Sequence, residues 1–422
     1  MKNIKYIFTS MLCITLLFSC DNAIDIDPRD EIVESNALNS VRDIQDAAIG
    51  VYGGISGSNL IGWNSRFTDN TRKGVGNRGQ GVQVHTWSIN SSTVEPAGLW
   101  NNLYGVINRL NRVLAVIDNI PTKNAAEVLT INRIKAELLV IRAMNHFDLM
   151  RLYSPSFTNT SDLAVPYIDF PVVLEKPVRN TVAEVYTGID KDLDAASALF
   201  GNSTNTKFYV TKDVISALKA RVSLYKGNDN INAINNASTL ISKYPLVNIN
   251  SFPDVWTDAS DTGVIFQLSR NPGEGAAGTL FTDNNGDIFF SPSDELVSLY
   301  SALDIRRFVY FNSNLQEVDK YPGTTANPGL NNIKMFRVAE QYLIRAESYA
   351  KEKDLVKAAA DYNMLRRNRI NNYVDETFTT ELDALAKISE ERRRELAFEG
   401  HRFFDLKRKV TFLLDTPKLN QK

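Results

Sequence analysis

The sequence is 422 residues long, with 47 Lys and Arg against 49 Asp and Glu and a formal charge of −2. A chain so close to neutral has no electrostatic footprint for nucleic acid. Hydrophobic residues make up 43% of it, enough for a large buried core, and the 10% that are aromatic also supply flat surfaces for ligands.

Met1 to Lys5 hold two lysines and no acid, and Ile7 to Phe18 form an apolar run broken only by Thr9, Ser10 and Thr15. A spanning helix needs about 20 apolar residues, so this layout is an export signal and not a membrane span. Leu17-Phe18-Ser19-Cys20 closes the run and resembles the lipobox of bacterial lipoproteins. Cys13 leaves with the signal, so Cys20 is the sole thiol of the exported chain and has no disulfide partner. Lipid on Cys20 accounts for that thiol, since a multiply acylated cysteine anchors stably. Removing Lys2 and Lys5 takes the charge from −2 to −4. Asp21 to Glu31 is acidic and contains Pro28, which predicts an extended tether. An acidic stretch just after the cysteine resembles the surface-export signal of Bacteroidetes lipoproteins. The expected organisation is a signal peptide over residues 1–19, a tether over 20–34, an N-terminal helical region over 35–245 and a C-terminal region over 246–422.

Residues 56–96 are rich in Gly, Asn, Ser and Thr and read as one long loop, and loops of that length are functional or disordered. The loop holds Trp63, Phe67, Asp69, Asn70, Arg72, Arg78 and Trp87. Gly74-Val75-Gly76-Asn77-Arg78-Gly79 matches the letters of G-x-G-x-x-G. Read as following no strand and opening no helix, it lacks the context of a dinucleotide site and is expected to be a surface loop.

Leu99, Leu103, Val106, Leu110, Val113 and Ile117 then step by four and three along one helix face. Ile131, Ile134, Leu138 and Ile141 form another, and Leu139, Ala143, Phe147 and Met150 make a second stripe on that same helix, which is therefore sandwiched. Similar periodicity covers 182–200, 212–226, 231–244, 334–350, 355–369 and 385–407. Short turns at Gly227–Asn230 and Lys351–Asp354 join neighbouring helices into hairpins. Such hairpins stack as tetratricopeptide-like solenoids, with a generic helical bundle as the alternative. The fold class expected is mostly α: a helical-repeat scaffold with a loop-rich ligand-binding region and short strands.

Residues 246–328 are rich in Pro, Gly and Asn, with a short strand predicted at Val264–Leu268. Asp283-Asn284-Asn285-Gly286-Asp287 has its glycine one place early for a calcium loop and no closing glutamate, so a turn is expected. His85, His146 and His401 are isolated, with no H-E-x-x-H and no paired cysteine, so no metal site or cofactor is expected. Trp100 lies on a helical stripe and reads as core; Trp256 is open between core and ligand surface. Glu390 to Arg408 reads as a charged, solvated helix with Arg392–Glu395 and Glu399–Arg402 pairs.

Glu391-Arg392-Arg393-Arg394-Glu395-Leu396, with Phe398-Glu399-Gly400-His401-Arg402-Phe403-Phe404-Asp405-Leu406-Lys407-Arg408, resembles the C-terminal signature of the SusD/RagB lipoproteins of Bacteroidetes. Trp100 and Tyr104 with Asn108 and Asn111 resemble the family's W-x-x-x-Y helix. Ala136-Glu137 through Tyr153 is similar to its E-A-x-x-L-R-A helix. Asp304 and Arg306 resemble its D-x-R element, Arg337, Glu340, Leu343, Ala346 and Glu347 its R-x-x-E-x-x-L-x-x-A-E, and Asn363 to Arg369 its N-x-x-R-x-R. The family's usual Pro-Ile-Pro segment after the signature is absent.

The resemblance implies a tetratricopeptide-like scaffold on the outer face of the outer membrane. It implies a protein that binds a nutrient, usually an oligosaccharide, and passes it to a SusC-like TonB-dependent transporter without chemistry. The aromatic and polar residues of 56–96 suit sugar rings, whose apolar faces stack and whose hydroxyl edges pair with Asp, Asn and Arg. Arg270, Asn284 and Asn285 form a second candidate patch. Peptide or other nutrient capture on the same scaffold, a surface glycosidase and a purely structural scaffold are the competing readings.

Overall fold

The computed structural model describes residues 37–201 and 206–415. The expected signal peptide, Cys20 and the expected acidic tether lie outside the described residues.

In chain order the elements are α1 (Val41–Gly54), α2 (Gly57–Arg66), β1 (Thr71–Lys73), α3 (Val82–His85), α4 (Val94–Val116), α5 (Ala125–Tyr153), α6 (Val182–Leu199), α7 (Lys212–Lys226) and α8 (Asn230–Lys243). After these come α9 (Phe252–Trp256), β2 (Val264–Leu268), β3 (Phe290–Pro292), α10 (Asp294–Ser298), α11 (Arg306–Tyr310) and β4 (Ile333–Arg337). The last four are α12 (Val338–Lys351), α13 (Leu355–Arg367), α14 (Glu381–Glu395) and α15 (Arg402–Asp415). The helices pack as successive antiparallel hairpins, α5 on α6, α7 on α8 and α12 on α13, with α8 against α12 joining one pair to the next. This is the expected solenoid logic, in which each hairpin buries its neighbour's apolar side.

Local chemistry sets the helix ends. α1 and α6 open with reciprocal capping boxes, Ser40 with Asp43 and Thr181 with Glu184. Asn124 and Thr380 cap α5 and α14. α7 stops at Gly227, whose φ of +80° only glycine adopts freely. α5 is buried on every side from Ala136 to Arg151, so its polar residues need internal partners. Arg142 finds Asp192 at 2.5 Å and Asn111 at 2.9 Å. The W-x-x-x-Y residues of α4 pin the strand-like segment beside it. Tyr104 donates to Pro166 O (2.7 Å), Asn111 to Ile168 O (3.1 Å), and Asn108 accepts from Val172 N–H (2.8 Å).

The structure departs from the sequence-based reading in four places. Residues 56–96 are not one loop: they hold α2, β1, α3 and the start of α4. α2 forms from a sequence of poor helix propensity because it is packed in. Leu60, Ile61, Asn64 and Ser65 are buried, and Asn64 donates to Leu60 O at 2.9 Å. Secondly, G-x-G-x-x-G does follow a strand and precede a one-turn helix. That strand is antiparallel to β3, so the setting is still not a dinucleotide-binding βαβ unit. Thirdly, residues 334–337 of the predicted 334–350 helix belong to β4, paired with β2. Fourthly, the 385–407 helix is broken at Leu396–His401, where Phe398 and Gly400 take φ of +62° and +84°. The carbonyls freed there are taken up by Lys320 Nζ on Ala397 O (2.6 Å) and Tyr321 Oη on Phe398 O (2.9 Å). One hydrophobic cluster runs from Ile44 on α1 to Phe404 on α15, and a second lies among α12, α13 and α14.

Candidate functional site

The two irregular segments singled out by sequence meet in space. β1 pairs with β3, Arg72 opposite Ser291 and Lys73 opposite Phe290. The ladder continues past β1, with Gly74 N–H on Phe289 O and Gly76 N–H on Ile288 O, both at 2.9 Å. A Cβ on Gly74 would stand 2.2 Å from Ile288 O, so this close approach requires glycine. Asn77 donates to Phe289 O at 3.0 Å, and Arg78 pairs with Asp287. Asp283 accepts the N–H groups of Asn285 and Asp287, both at 2.9 Å, closing the expected turn with Asn284 and Asn285 exposed on it.

Behind this ladder lies a cavity of about 340 Å³ walled by α2, α3, the start of α4 and Leu280. Asn59, Gly62, Trp63 and Arg66 supply one wall, at the 3-1-3 spacing of a single helix face. Trp63 Nε1–H and Arg66 Nε–H are buried without a hydrogen-bond acceptor. Buried donors left open cost about 1–3 kcal/mol each, so a ligand oxygen that met them would be favoured. Burial pushes the Arg66 guanidinium below its ordinary value, with Glu95 opposing that shift. Glu95 is the single carboxylate among the lining residues, and Val84, Val94 and Leu99 add apolar surface.

An aromatic run leads outward from the cavity. Trp63 stacks on Phe67 at 4.7 Å, and Phe67 lies 6.0 Å from Trp87. Phe403 of α15 closes the inner side, edge-on to both Trp63 and Phe67. Trp87 is 71% exposed and sits at φ +56°, a conformation rare for a bulky residue. Its Nε1–H donates to Phe67 O at 3.2 Å, which fixes the ring in that position. The backbone strain and this bond together hold the ring at the surface, open to solvent.

The other predicted residues are placed less favourably for contact. Asn70 is only 2% exposed and accepts from Arg393 Nε at 3.2 Å, so it is corrected to a structural residue. Both oxygens of Asp69 accept from Arg402, at 2.7 and 2.5 Å. Burial works to raise the Asp69 carboxyl, but Arg402 and Arg393 outweigh it and hold it below the usual range. Arg270 is corrected likewise: it donates to Ile55 O (2.9 Å) and Ser269 O (3.2 Å), clamping the α1–α2 junction. Arg72 is held by Gln316 and lies 3.5 Å from Asp294. Trp256 is 1% exposed and belongs to the core; Trp100 packs against Tyr104 and Tyr153. The signal for Asn59 and Arg66 is their helical spacing through Trp63, masked by the glycine-rich composition of the segment; Glu95 lies on α4, and nothing in the sequence joins it to Trp63.

The conspicuous charged signature forms no binding surface. Glu391 and Glu395 are fully buried, as are Arg306 and Arg369. Arg306 donates to Glu391 (2.6 Å) and Glu395 (3.1 Å), and Arg337 and Arg369 donate to Glu395 (2.9 Å each). The i,i+3 pairs expected within the helix do not form. Arg392 reaches Asp405, Glu399 pairs with Arg337 and Lys320, and Arg402 pairs with Asp69. This lattice locks α14 and α15 to β4 and α11, and through Arg402 and Arg393 to Asp69 and Asn70 in the turn between α2 and β1.

One family model, described as starch-binding and associating with the outer membrane, matches residues 25–224, and the SusD family model matches residues 305–414. This chain belongs to the SusD/RagB family. A SusD-like protein of Formosa agariphila is 24% identical over 96% of this chain and 90% of its own length. A SusD superfamily protein from Bacteroides thetaiotaomicron superposes with a TM-score of 0.76 at 26% identity, covering 88% of this chain and 89% of that one. A Bacteroides vulgatus protein described as sugar-binding gives 0.76 and 26%, over 88% and 87%. The matched family is thus one of carbohydrate-binding proteins associated with the outer membrane, and the Bacteroides vulgatus relative is described as a sugar-binding protein. Among the described residues no helix is long and apolar enough to cross a membrane, and no group of three or more His, Cys, Asp or Glu is placed to hold a metal ion.

Proposed function

We propose that this SusD/RagB protein is a cell-surface lipoprotein that captures an oligosaccharide and delivers it, uncleaved, to a SusC-like TonB-dependent transporter. The observation that carries the reading is the aromatic run Trp63–Phe67–Trp87 leading to a cavity with open donors on Trp63 and Arg66. A sugar ring offers an apolar face to such a run and acceptor oxygens to such donors. Glycoside hydrolysis normally uses two carboxyl groups flanking the bond, and Glu95 stands alone in the lining, which favours binding over cleavage. Lipid on Cys20 would hold the domain at the membrane through the acidic tether.

Calorimetry of the mature protein against an oligosaccharide panel tests the site. Trp87→Ala is the cleaner variant, because that ring is mostly exposed and its loss leaves the core intact. The expected loss is about tenfold in affinity, which ~1.4 kcal/mol of stacking amounts to. Unchanged affinity would remove Trp87 from the site, and released reducing ends would overturn the binding-only reading. Cys20→Ser should move the protein from the membrane fraction to the soluble fraction; retention in the membrane would count against the lipid anchor.

A further inference from the structure

A second cavity, of about 430 Å³, shares no lining residue with the first and uses none of the signature charges. Its size lies within the ~300–1,000 Å³ typical of small-molecule sites. It is formed where the segment before α7 meets β2 and the approach to β4. Gln267 N–H donates to Lys207 O at 2.8 Å, which fixes Phe208 beside the strand. Asp258 sits at φ +61° and holds the opposite wall, its Oδ2 accepting from Asn332 N–H (2.9 Å) while its Oδ1 takes Lys334 Nζ.

Once these internal bonds are made, a distinct set of groups is left over. Gln267 is 4% exposed, lines the cavity, and its side-chain amide has no partner. Its amide atoms reach the solvent of the cavity, where two donors and one acceptor are free to exchange water for a ligand's hydroxyls. Asn332 spends its carbonyl on Arg270 N–H (3.2 Å) and keeps its NH₂ group. The Asp261 carboxylate is on the exposed rim with no hydrogen-bond partner. Phe208 is 41% exposed, an apolar plate at the edge of an otherwise polar cavity.

The charge balance narrows the ligand class. Two carboxylates line the cavity, Lys334 pairs with Asp258 and Lys207 acts electrostatically on Asp261, so the charges balance and no net positive charge is left for an anion. Two planar amides, an exposed carboxylate and one aromatic face fit the vicinal hydroxyls and the apolar face of a neutral sugar. We propose that Phe208, Asp261, Gln267 and Asn332 form a second saccharide site, specific for uncharged sugar. It goes beyond the function proposed above in placing a second contact for glycan on another part of the molecule, and it stands on its own residues.

The test is saturation-transfer NMR and calorimetry on the mature protein with maltohexaose, cellohexaose, xylohexaose and mannohexaose, and with an oligogalacturonate as the anionic probe. Four proteins are compared: wild type, Trp87→Ala, Phe208→Ala and the double variant, with Gln267→Leu as a volume-preserving check. The expected result is a neutral hexasaccharide that still binds Trp87→Ala and binds the double variant at least tenfold more weakly, with Gln267→Leu weakened similarly. If Trp87→Ala abolishes all binding, the second site falls and the first stands. If Phe208→Ala abolishes binding and Trp87→Ala does not weaken it, the second site stands and the first falls. Binding that neither Phe208→Ala nor Gln267→Leu weakens overturns the second site, tight binding of oligogalacturonate there overturns the neutral-sugar assignment, and no binding by wild type overturns both sites.

Discussion

Glu395 is a carboxylate with no exposure to solvent and four N–H donors, from Arg306, Arg337 and, in bidentate fashion, Nε and Nη2 of Arg369. Burial alone would raise its pKa; Arg369, Arg337 and Arg306 reverse that and hold it far below the usual carboxylate range. Removing one partner from a buried ionic cluster leaves the others desolvated and uncompensated, so Glu395→Ala should cost about 3–5 kcal/mol in chemical denaturation. The histidines act at higher pH. His146 is buried, accepts Ile168 N–H on Nε2 (2.9 Å) and so donates from Nδ1 to Arg142 O (3.0 Å). Burial depresses its pKa from 6.5 to about 3. The unfolded chain therefore takes up the proton first, and stability present above pH 6.5 is lost as pH falls from 6.5 toward 3. Glu391, held at about 2 by Arg306 and its neighbours against the effect of burial, adds a further loss between 4.5 and 2. Urea midpoints of the wild type should fall from pH 7 to 5, and the fall should be smaller in His146→Gln. An equal slope in both would show that His146 is not the group titrating.

At the scale of elements, the pairing of β1 with the 288–292 segment decides whether the two irregular regions act as one surface. Gly74→Ala puts a methyl group against the Ile288 carbonyl at 2.2 Å. The backbone must shift, costing about 1–3 kcal/mol, and the cavity wall should loosen with it. Thermal unfolding and oligosaccharide titration of this variant should both weaken; a normal melting temperature would mean that the close approach is absent. The break between α14 and α15 is a second such device. Gly400 at φ +84° lies against Leu60, so α15 starts where Phe403 N–H can meet Asn64 Oδ1 at 2.9 Å. Gly400→Ala should cost about 1–2 kcal/mol through its left-handed backbone. The long helices were legible because apolar spacing and caps both act within a few residues: Lys212–Lys226 and Val264–Leu268 match in sequence and structure to the residue. α2 and the 396–401 break were not legible. Gly57 and Gly62 argue against a helix, and only packing against Ile333 and Leu280 makes them fit. Leu396-Ala397-Phe398 argues for a helix, and only Lys320 and Tyr321, far away in sequence, make the break affordable.

For the whole molecule, the charged lattice joins the C-terminal helices to the middle of the chain, and Arg402 and Arg393 extend it to the turn between α2 and β1. Scaffold and ligand region are therefore coupled: Arg402→Ala should leave Asp69 held by Arg393 alone and reduce oligosaccharide affinity although residue 402 is not among those lining the cavity. Unaltered affinity would show that α2 holds its position without that link. The sequence by itself determined the helical hairpins and the family, because periodicity, caps and ordered motifs are local or lie in fixed chain order. It also picked out Trp63, Phe67 and Trp87, because aromatic residues in a polar, glycine-rich stretch are conspicuous wherever they fold. Tertiary structure alone decided which charges are inside, which of the predicted polar residues are already spent on protein partners, and where the two cavities lie. The physical reason is that a carboxylate or guanidinium has the same chemistry in a solvated helix and in a buried lattice. Its role is set by partners that come from distant parts of the chain.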